Sequence, residues 1–228
     1  MLVSFQIMGI IVVNTKAYRE GMGENLVELS KIMERMGEEY GIRMVIAVQP
    51  SDIRLVSNLN VDVFSQHVDA IEYGSYTGWI SPYAVKMAGA VGSLVNHSEH
   101  RMKVEDIAKV VEISKKIGIE IIACASTPEI SKAVSCFNPD YVAVEPPELI
   151  GGNISVTEAK PEVVKNAVDV VHEINKKISV LCGAGIKSGR DVSKAIELGA
   201  EGILVASGVV KAKEREKIIE EMAEAMVK

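Results

Sequence analysis

Short apolar runs rich in Val and Ile recur along the chain at regular spacing: 9–14 (GIIVVN), 43–48 (RMVIAV), 61–66 (VDVFSQ), 92–97 (GSLVNH), 119–125 (IEIIACA), 141–145 (YVAVE), 178–183 (ISVLCG) and 202–207 (GILVAS). Several stay apolar without alternation, the pattern of parallel strands covered on both faces. The segments between them carry helical periodicity. In 104–117, Val104, Ile107, Val111 and Ile117 fall mostly on one face, with charges opposite. The stretch 161–174 opens with Pro161, suited to a first helical turn, and sets Val164, Ala167, Val168 and Val171 in one stripe. Gly41, Gly118 and Gly199 each follow a helical segment and precede a strand, where glycine accepts the left-handed conformation that stops a helix. Eight such units in 228 residues give about 28 residues per unit, the size of a strand–helix pair. No Ser- or Pro-rich linker divides them. The pattern predicts an α/β chain forming one domain over 1–228, a closed (β/α)8 barrel. An open doubly wound sheet would need fewer strands or a second domain, and no glycine-rich dinucleotide fingerprint follows the first run.

Composition narrows the function classes. The chain is 48% hydrophobic and 25% charged, an ordinary globular balance, and the 4% aromatic content means a core of aliphatic residues and Met. A net charge of −6 argues against a nucleic-acid partner, which calls for a basic face. An anionic small molecule stays possible, because backbone N–H groups can bind phosphate on an acidic protein. Cys124, Cys136 and Cys182 are few, odd in number and without metal-ligand spacing, as expected of a reducing cytoplasm. The opening MLVSFQIMGIIVV has no basic leader or small-residue cleavage site and is shorter than a membrane span, so its second half reads as the first buried strand, with no membrane partner.

In a (β/α)8 barrel the reacting groups sit at the C-terminal ends of the strands and in the loops after them. The first run ends in Asn14-Thr15-Lys16, the fourth in Asn96-His97-Ser98-Glu99 and the sixth in Glu145. A lysine at such a place is usually just solvated, and a lone histidine there is more often structural. A carboxylate straight after YVAV is harder to dismiss, since a charge on the rim of a packed barrel needs a reason. Gly183-Ala184-Gly185-Ile186 follows the seventh strand and Ala206-Ser207-Gly208-Val209 the eighth, where this fold commonly binds phosphate through backbone N–H groups.

The motifs N-T-K, N-H-S-E-H-R, V-A-V-E-P-P-E-L-I-G, G-A-G-I and V-A-S-G, in that order over essentially the whole chain, resemble the triosephosphate isomerase family in its compact archaeal form. The resemblance implies a TIM barrel that interconverts dihydroxyacetone phosphate and D-glyceraldehyde 3-phosphate in glycolysis and gluconeogenesis, without metal or organic cofactor. It implies Glu145 as base, His97 as electrophile and Lys16 as electrostatic partner. Asn14, Thr15, Lys16, Ile150, Gly185, Ala206 and Ser207 would bind the phosphorylated triose, and 147–153 would be the lid. Ser98-Glu99 would start a short helix whose positive end disfavours an imidazolium. The segment 73–79, with Tyr73, Tyr76 and Trp79, resembles the family's interdigitating loop, with Thr77 reaching a neighbouring subunit. It implies a homo-oligomer, a tetramer in preference to a dimer. Three features depart from the pattern: Thr15 where many members carry an aromatic, His100 where many carry Arg, and a lid without an aromatic.

The remaining candidates have plain readings. His67 fits a structural or interface role, His172 lies on a helix stripe, Cys124 and Cys182 pack as small residues, and Glu129 and Glu148 are solvated loop charges. Two other functions stay open on the residues alone. A sugar-phosphate aldolase would need a Schiff-base lysine inside a strand, and neither the fifth nor the sixth run has one. A barrel that merely binds phosphorylated metabolites would not need Asn14, Lys16, His97 and Glu145 together.

Overall fold

A computed structural model describes residues 9–146 and 160–227. Eight parallel strands close into a barrel in chain order. They are β1 (Ile10–Asn14), β2 (Arg43–Val48), β3 (Asp62–Ser65), β4 (Gly92–Val95), β5 (Glu120–Ala125), β6 (Tyr141–Val144), β7 (Ser179–Gly183) and β8 (Gly202–Val205). Closure pairs Ile10 with Gly202 and Val13 with Val205. The helices between and after them are α1 (Gly23–Tyr40), α2 (Ile53–Val56), α3 (Pro82–Ala88), α4 (Val104–Ile117), α5 (Pro128–Ser135), α6 (Pro161–Ile174), α7 (Gly189–Glu197), the single-turn α8 (Ser207–Val210) and α9 (Arg215–Val227). Among the described residues no helix is long and apolar enough to cross a membrane.

Two apolar clusters follow from the two faces of each strand. Ile10, Val12, Val45, Ala47, Phe64, Leu94, Ile122, Ala143, Leu181 and Leu204 fill the barrel interior. Their chain neighbours, such as Ile11, Val13, Ile46 and Val144, belong to the larger cluster that includes the inner stripes of the helices. The interior has little room. An added Cβ at Gly92 would lie 2.3 Å from the Phe64 ring, and Gly92 is the residue paired with Phe64 across β3 and β4.

The N-terminal end of the barrel is closed by charge. Arg43, Asp62, Glu120 and Tyr141 each open a strand, in line with the inward positions that follow. Arg43 Nη2 lies 2.6 Å from Asp62 Oδ2, and Nη1 donates to the Tyr141 hydroxyl at 2.6 Å. Nη2 also approaches Glu120 Oε2 at 2.7 Å, a charge contact off the hydrogen-bond line. Burial works against the guanidinium's charge, but the close Glu120 carboxylate, with Tyr141 and Asp62, holds its pKa above the ordinary value. Arg43→Met should therefore lower unfolding stability by about 1–3 kcal/mol, the cost of unpairing partly buried polar groups. Any activity of the strand-end candidates should be unchanged, because the cluster is at the opposite end of the barrel. Denaturant titration beside an activity assay checks both.

Helices predicted over 104–117 and 161–174 have those bounds, and Val164, Ala167, Val168 and Val171 are buried as one stripe. Gly41, Gly118 and Gly199 take φ of 65°, 69° and 94°, the left-handed values expected of them. Val104 is a correction. It is 64% exposed, because it is the first residue of α4 and the buried stripe begins a turn later at Ile107. The third, fourth, sixth and eighth runs also stop short of their predicted ends, at Ser65, Val95, Val144 and Val205. Asn96 leaves the strand with φ 57°, and Ala206 is already the N-cap of α8.

Candidate active site

Val12 and Ala143 face the barrel interior. Asn14 and Glu145, two residues further along, therefore reach the C-terminal mouth on the same side. Both are 5% exposed. The Glu145 backbone N–H donates to Ala125 O at 2.7 Å, which ties it to β5. Its side chain passes over β7, where a Cβ at Gly183 would lie 2.4 Å from Glu145 Cγ, so only glycine leaves the carboxylate this path. Glu145 Oε2 is buried and, among the described residues, has no hydrogen-bond partner. It lies 3.6 Å from His97 Nε2, too far for a hydrogen bond and close enough for one atom of a substrate to be shared. An unsatisfied buried carboxylate oxygen is costly and calls for a functional explanation.

His97 is buried at 7% exposure. Its Nδ1 accepts from the Glu99 backbone N–H at 3.2 Å. That bond uses the Nδ1 lone pair, so the ring proton sits on Nε2, the nitrogen facing Glu145. Glu99 Oε2 also comes within 3.7 Å of Nδ1, a distance outside hydrogen-bonding range, and the backbone donor decides the tautomer. The expected short helix at Ser98-Glu99 is absent. A turn closed by His100 N–H to His97 O at 2.8 Å stands there, and α4 starts only at Val104. The imidazole is oriented by one local amide and not by a helix end.

Lys16 has φ 50°, a left-handed value, and its N–H donates to Asn14 Oδ1 at 3.0 Å. Gln66 Nε2 donates to Lys16 O at 3.0 Å and secures the same turn. The Lys16 side chain, 10% exposed, pairs with Glu99 Oε1 at 2.7 Å. Asn14, Lys16, His97, Glu145, Gly185, Ala206 and Ser207 all line one cleft with about 490 Å³ of free space, part of it continuous with solvent. Ala184 and Gly185 take φ of 72° and 74°, and the first amides of α8 have no partner inside the helix, so both turns are built to offer N–H groups.

Thr15 is not brought to the cleft. Strand alternation turns its side chain outward, where its hydroxyl donates to Ala47 O at 3.1 Å and accepts from Gln66 Nε2 at 3.1 Å. Ile150 and the segment 147–153 lie outside the described residues. Tyr18 and Lys187 line the cleft without having been singled out in the sequence. Loop turns with no periodicity carry them there. Lys187 did have a signal, the Ser188–Asp191 capping box of α7: Asp191 Oδ2 also accepts from the Lys187 N–H at 3.0 Å.

The other candidates serve packing. His67 stacks on His100 with ring centroids 4.0 Å apart, and burial lowers its pKa against the pull of Asp69. His172 lies 3.6 Å from Glu201, outside the cleft. Burial raises the Cys124 thiol well above its usual range, and the Glu145 carboxylate beside it acts the same way. Cys124 therefore presents S–H and not a thiolate. Burial likewise raises Cys182, with Asp191 adding to it.

A carboxylate and an imidazole facing each other across the mouth of a (β/α)8 barrel belong to an enzyme that moves protons. A sequence model of the triosephosphate isomerase family matches residues 9–222. The chain is 51% identical to the triosephosphate isomerase of Methanothermus fervidus over 95% of its own length and 98% of that protein. It is 50% identical to that of Methanocaldococcus jannaschii, over 93% and 98%, and 46% identical to that of Archaeoglobus fulgidus, over 94% and 97%. The chain belongs to the triosephosphate isomerase family.

Proposed function

We propose that Glu145, His97 and Lys16 carry out the isomerisation of dihydroxyacetone phosphate and D-glyceraldehyde 3-phosphate that defines this family. The observation that carries the assignment is the buried Oε2 of Glu145, without a hydrogen-bond partner among the described residues, at 3.6 Å from His97 Nε2. Glu145 takes the proton from C1 of dihydroxyacetone phosphate. The electron pair of that C–H bond becomes the C1–C2 double bond, and the carbonyl pair moves onto oxygen to give the enediolate. His97 donates its Nε2 hydrogen bond to that oxygen, and a proton passes between the two substrate oxygens. Glu145 then returns its proton to C2. A glutamate base with an imidazole electrophile is the known pairing for triosephosphate isomerase and is taken over from the family. The Lys16 ammonium adds a positive charge where the oxyanion develops. Asn14 has its Oδ1 engaged by Lys16 N–H, which leaves its NH2 end for the substrate. The turns at Gly185, Ala206 and Ser207 take the phosphate through backbone N–H groups. Proton transfer of this kind calls for no cofactor.

An assay of the purified chain with glyceraldehyde 3-phosphate, following dihydroxyacetone phosphate formation, tests this reading. Turnover is expected. Binding of the triose phosphate without turnover would favour a metabolite-binding protein instead.

A homo-oligomer through loop 73–79 completes the proposal, tetramer ahead of dimer, with the cytoplasm as its compartment. Tyr73 and Trp79 are 76% and 58% exposed, a large aromatic surface for one loop. Light scattering should give four times the chain mass, and a monomer mass would overturn this part.

A further inference from the structure

We propose that Asn96 is a positioning residue for the reaction, holding His97 at its distance from Glu145. This inference rests on the electrophile role given to His97. Asn96 is 6% exposed and has φ 57°, a left-handed conformation that few residues with a side chain adopt and that Asn tolerates better than most. The conformation is fastened on three sides. Nδ2 donates to Cys124 O on β5 at 3.0 Å, and Oδ1 accepts from the Met102 N–H at 3.1 Å. The Asn96 carbonyl accepts from Arg101 Nη1 at 2.9 Å. Reversing the amide would set donor against donor and acceptor against acceptor, so its orientation is fixed by its partners.

One side chain thus ties both ends of the loop from Asn96 to Met102. Inside that loop lie the two bonds that define the imidazole, His100 N–H to His97 O and Glu99 N–H to His97 Nδ1. The tie to Cys124 O also gives the imidazole and the carboxylate a common reference. Glu145 N–H bonds to Ala125 O, the next residue of β5. The 3.6 Å between Nε2 and Oε2 is therefore measured from adjacent residues of a single strand. A side chain serving only to cap a turn would affect stability and leave the imidazole alone.

Asn96→Gly tests the difference, since glycine keeps the left-handed backbone and removes both side-chain ties. His97→Gln is run beside it, with Asn96→Asp, which loses the donor to Cys124 O, read in the same way if the glycine variant does not fold. The readouts are kcat, KM, melting temperature and the side-chain 15N resonances of His97. With His97→Gln impaired, Asn96→Gly should lower kcat about tenfold, less than the roughly 10²-fold cost of a full 1 Å displacement. KM should move less than about twofold, because the substrate turns are untouched, and the Nε2–H tautomer should give way to a mixture. Wild-type kcat and tautomer in Asn96→Gly with a lowered melting temperature would overturn the inference and leave the role of His97 standing. Unimpaired turnover in His97→Gln would overturn both.

Discussion

Glu145→Gln should lose about 10²–10⁴-fold in kcat, the usual worth of a positioned general base, while KM for glyceraldehyde 3-phosphate stays close to wild type. Glutamine matches glutamate in shape, so the fold and the phosphate turns remain. What disappears is the anion that accepts the carbon-bound proton. The same change should raise the melting temperature. Glu145 is 5% exposed and its Oε2 has no partner among the described residues, so the native protein holds a desolvated charge that glutamine does not carry. Relief of about 0.5–2 kcal/mol is the scale of such trade-offs between stability and activity. Thermal melts and steady-state kinetics on the two proteins read both effects. A variant that is slower and also less stable would mean that the carboxylate is held by contacts this account lacks.

Gly183→Ala should cost about 10²-fold in kcat without touching a reacting atom. The new Cβ would lie 2.4 Å from Glu145 Cγ and 3.1 Å from Oε1. Contacts that short force the carboxylate aside by about 1 Å, a displacement that can cost on the order of 10²-fold. Gly183 is the last residue of β7, with an extended backbone that alanine adopts freely, so strain in the chain is not the cause. Overpacking should also take about 1–3 kcal/mol of stability. Kinetics and a structure of the variant check this together. Full activity with Glu145 unmoved would show that β7 gives way more easily than a packed barrel should.

Much of the molecule is legible in its sequence because a barrel couples position to pattern. Doubly covered strands read as apolar runs, and their last residues mark the mouth. Asn14, Lys16, His97 and Glu145 stand at those ends and the two small-residue turns follow them, but each is a weak signal alone, and the order of the motifs is what gives them roles. The illegible parts depend on backbone turns and on contacts between distant segments. The resemblance implies Thr15 as a substrate contact, yet strand alternation points it at Ala47 O. Nothing in N-H-S-E announces that Asn96 turns left-handed or that its amide spans from Cys124 to Met102. The match between Gly183 and Glu145 joins the end of β7 to the residue just past β6, one step beyond the paired Val144 and Cys182, and only the closed sheet reveals it. Arg43, Asp62 and Glu120 stand at the starts of strands, where charge is ordinary, and only barrel closure brings them together.

Isomerisation in D2O, followed by NMR, tests the role of Glu145 most directly. With glyceraldehyde 3-phosphate, the wild-type protein should produce dihydroxyacetone phosphate carrying deuterium at C1, taken up through the enediolate. Glu145→Gln, saturated with the same substrate, should isomerise it and place deuterium on carbon about 10²–10⁴-fold more slowly than the wild-type protein. Deuterium entering at the wild-type rate in Glu145→Gln would contradict the account, because another group would then be removing the proton.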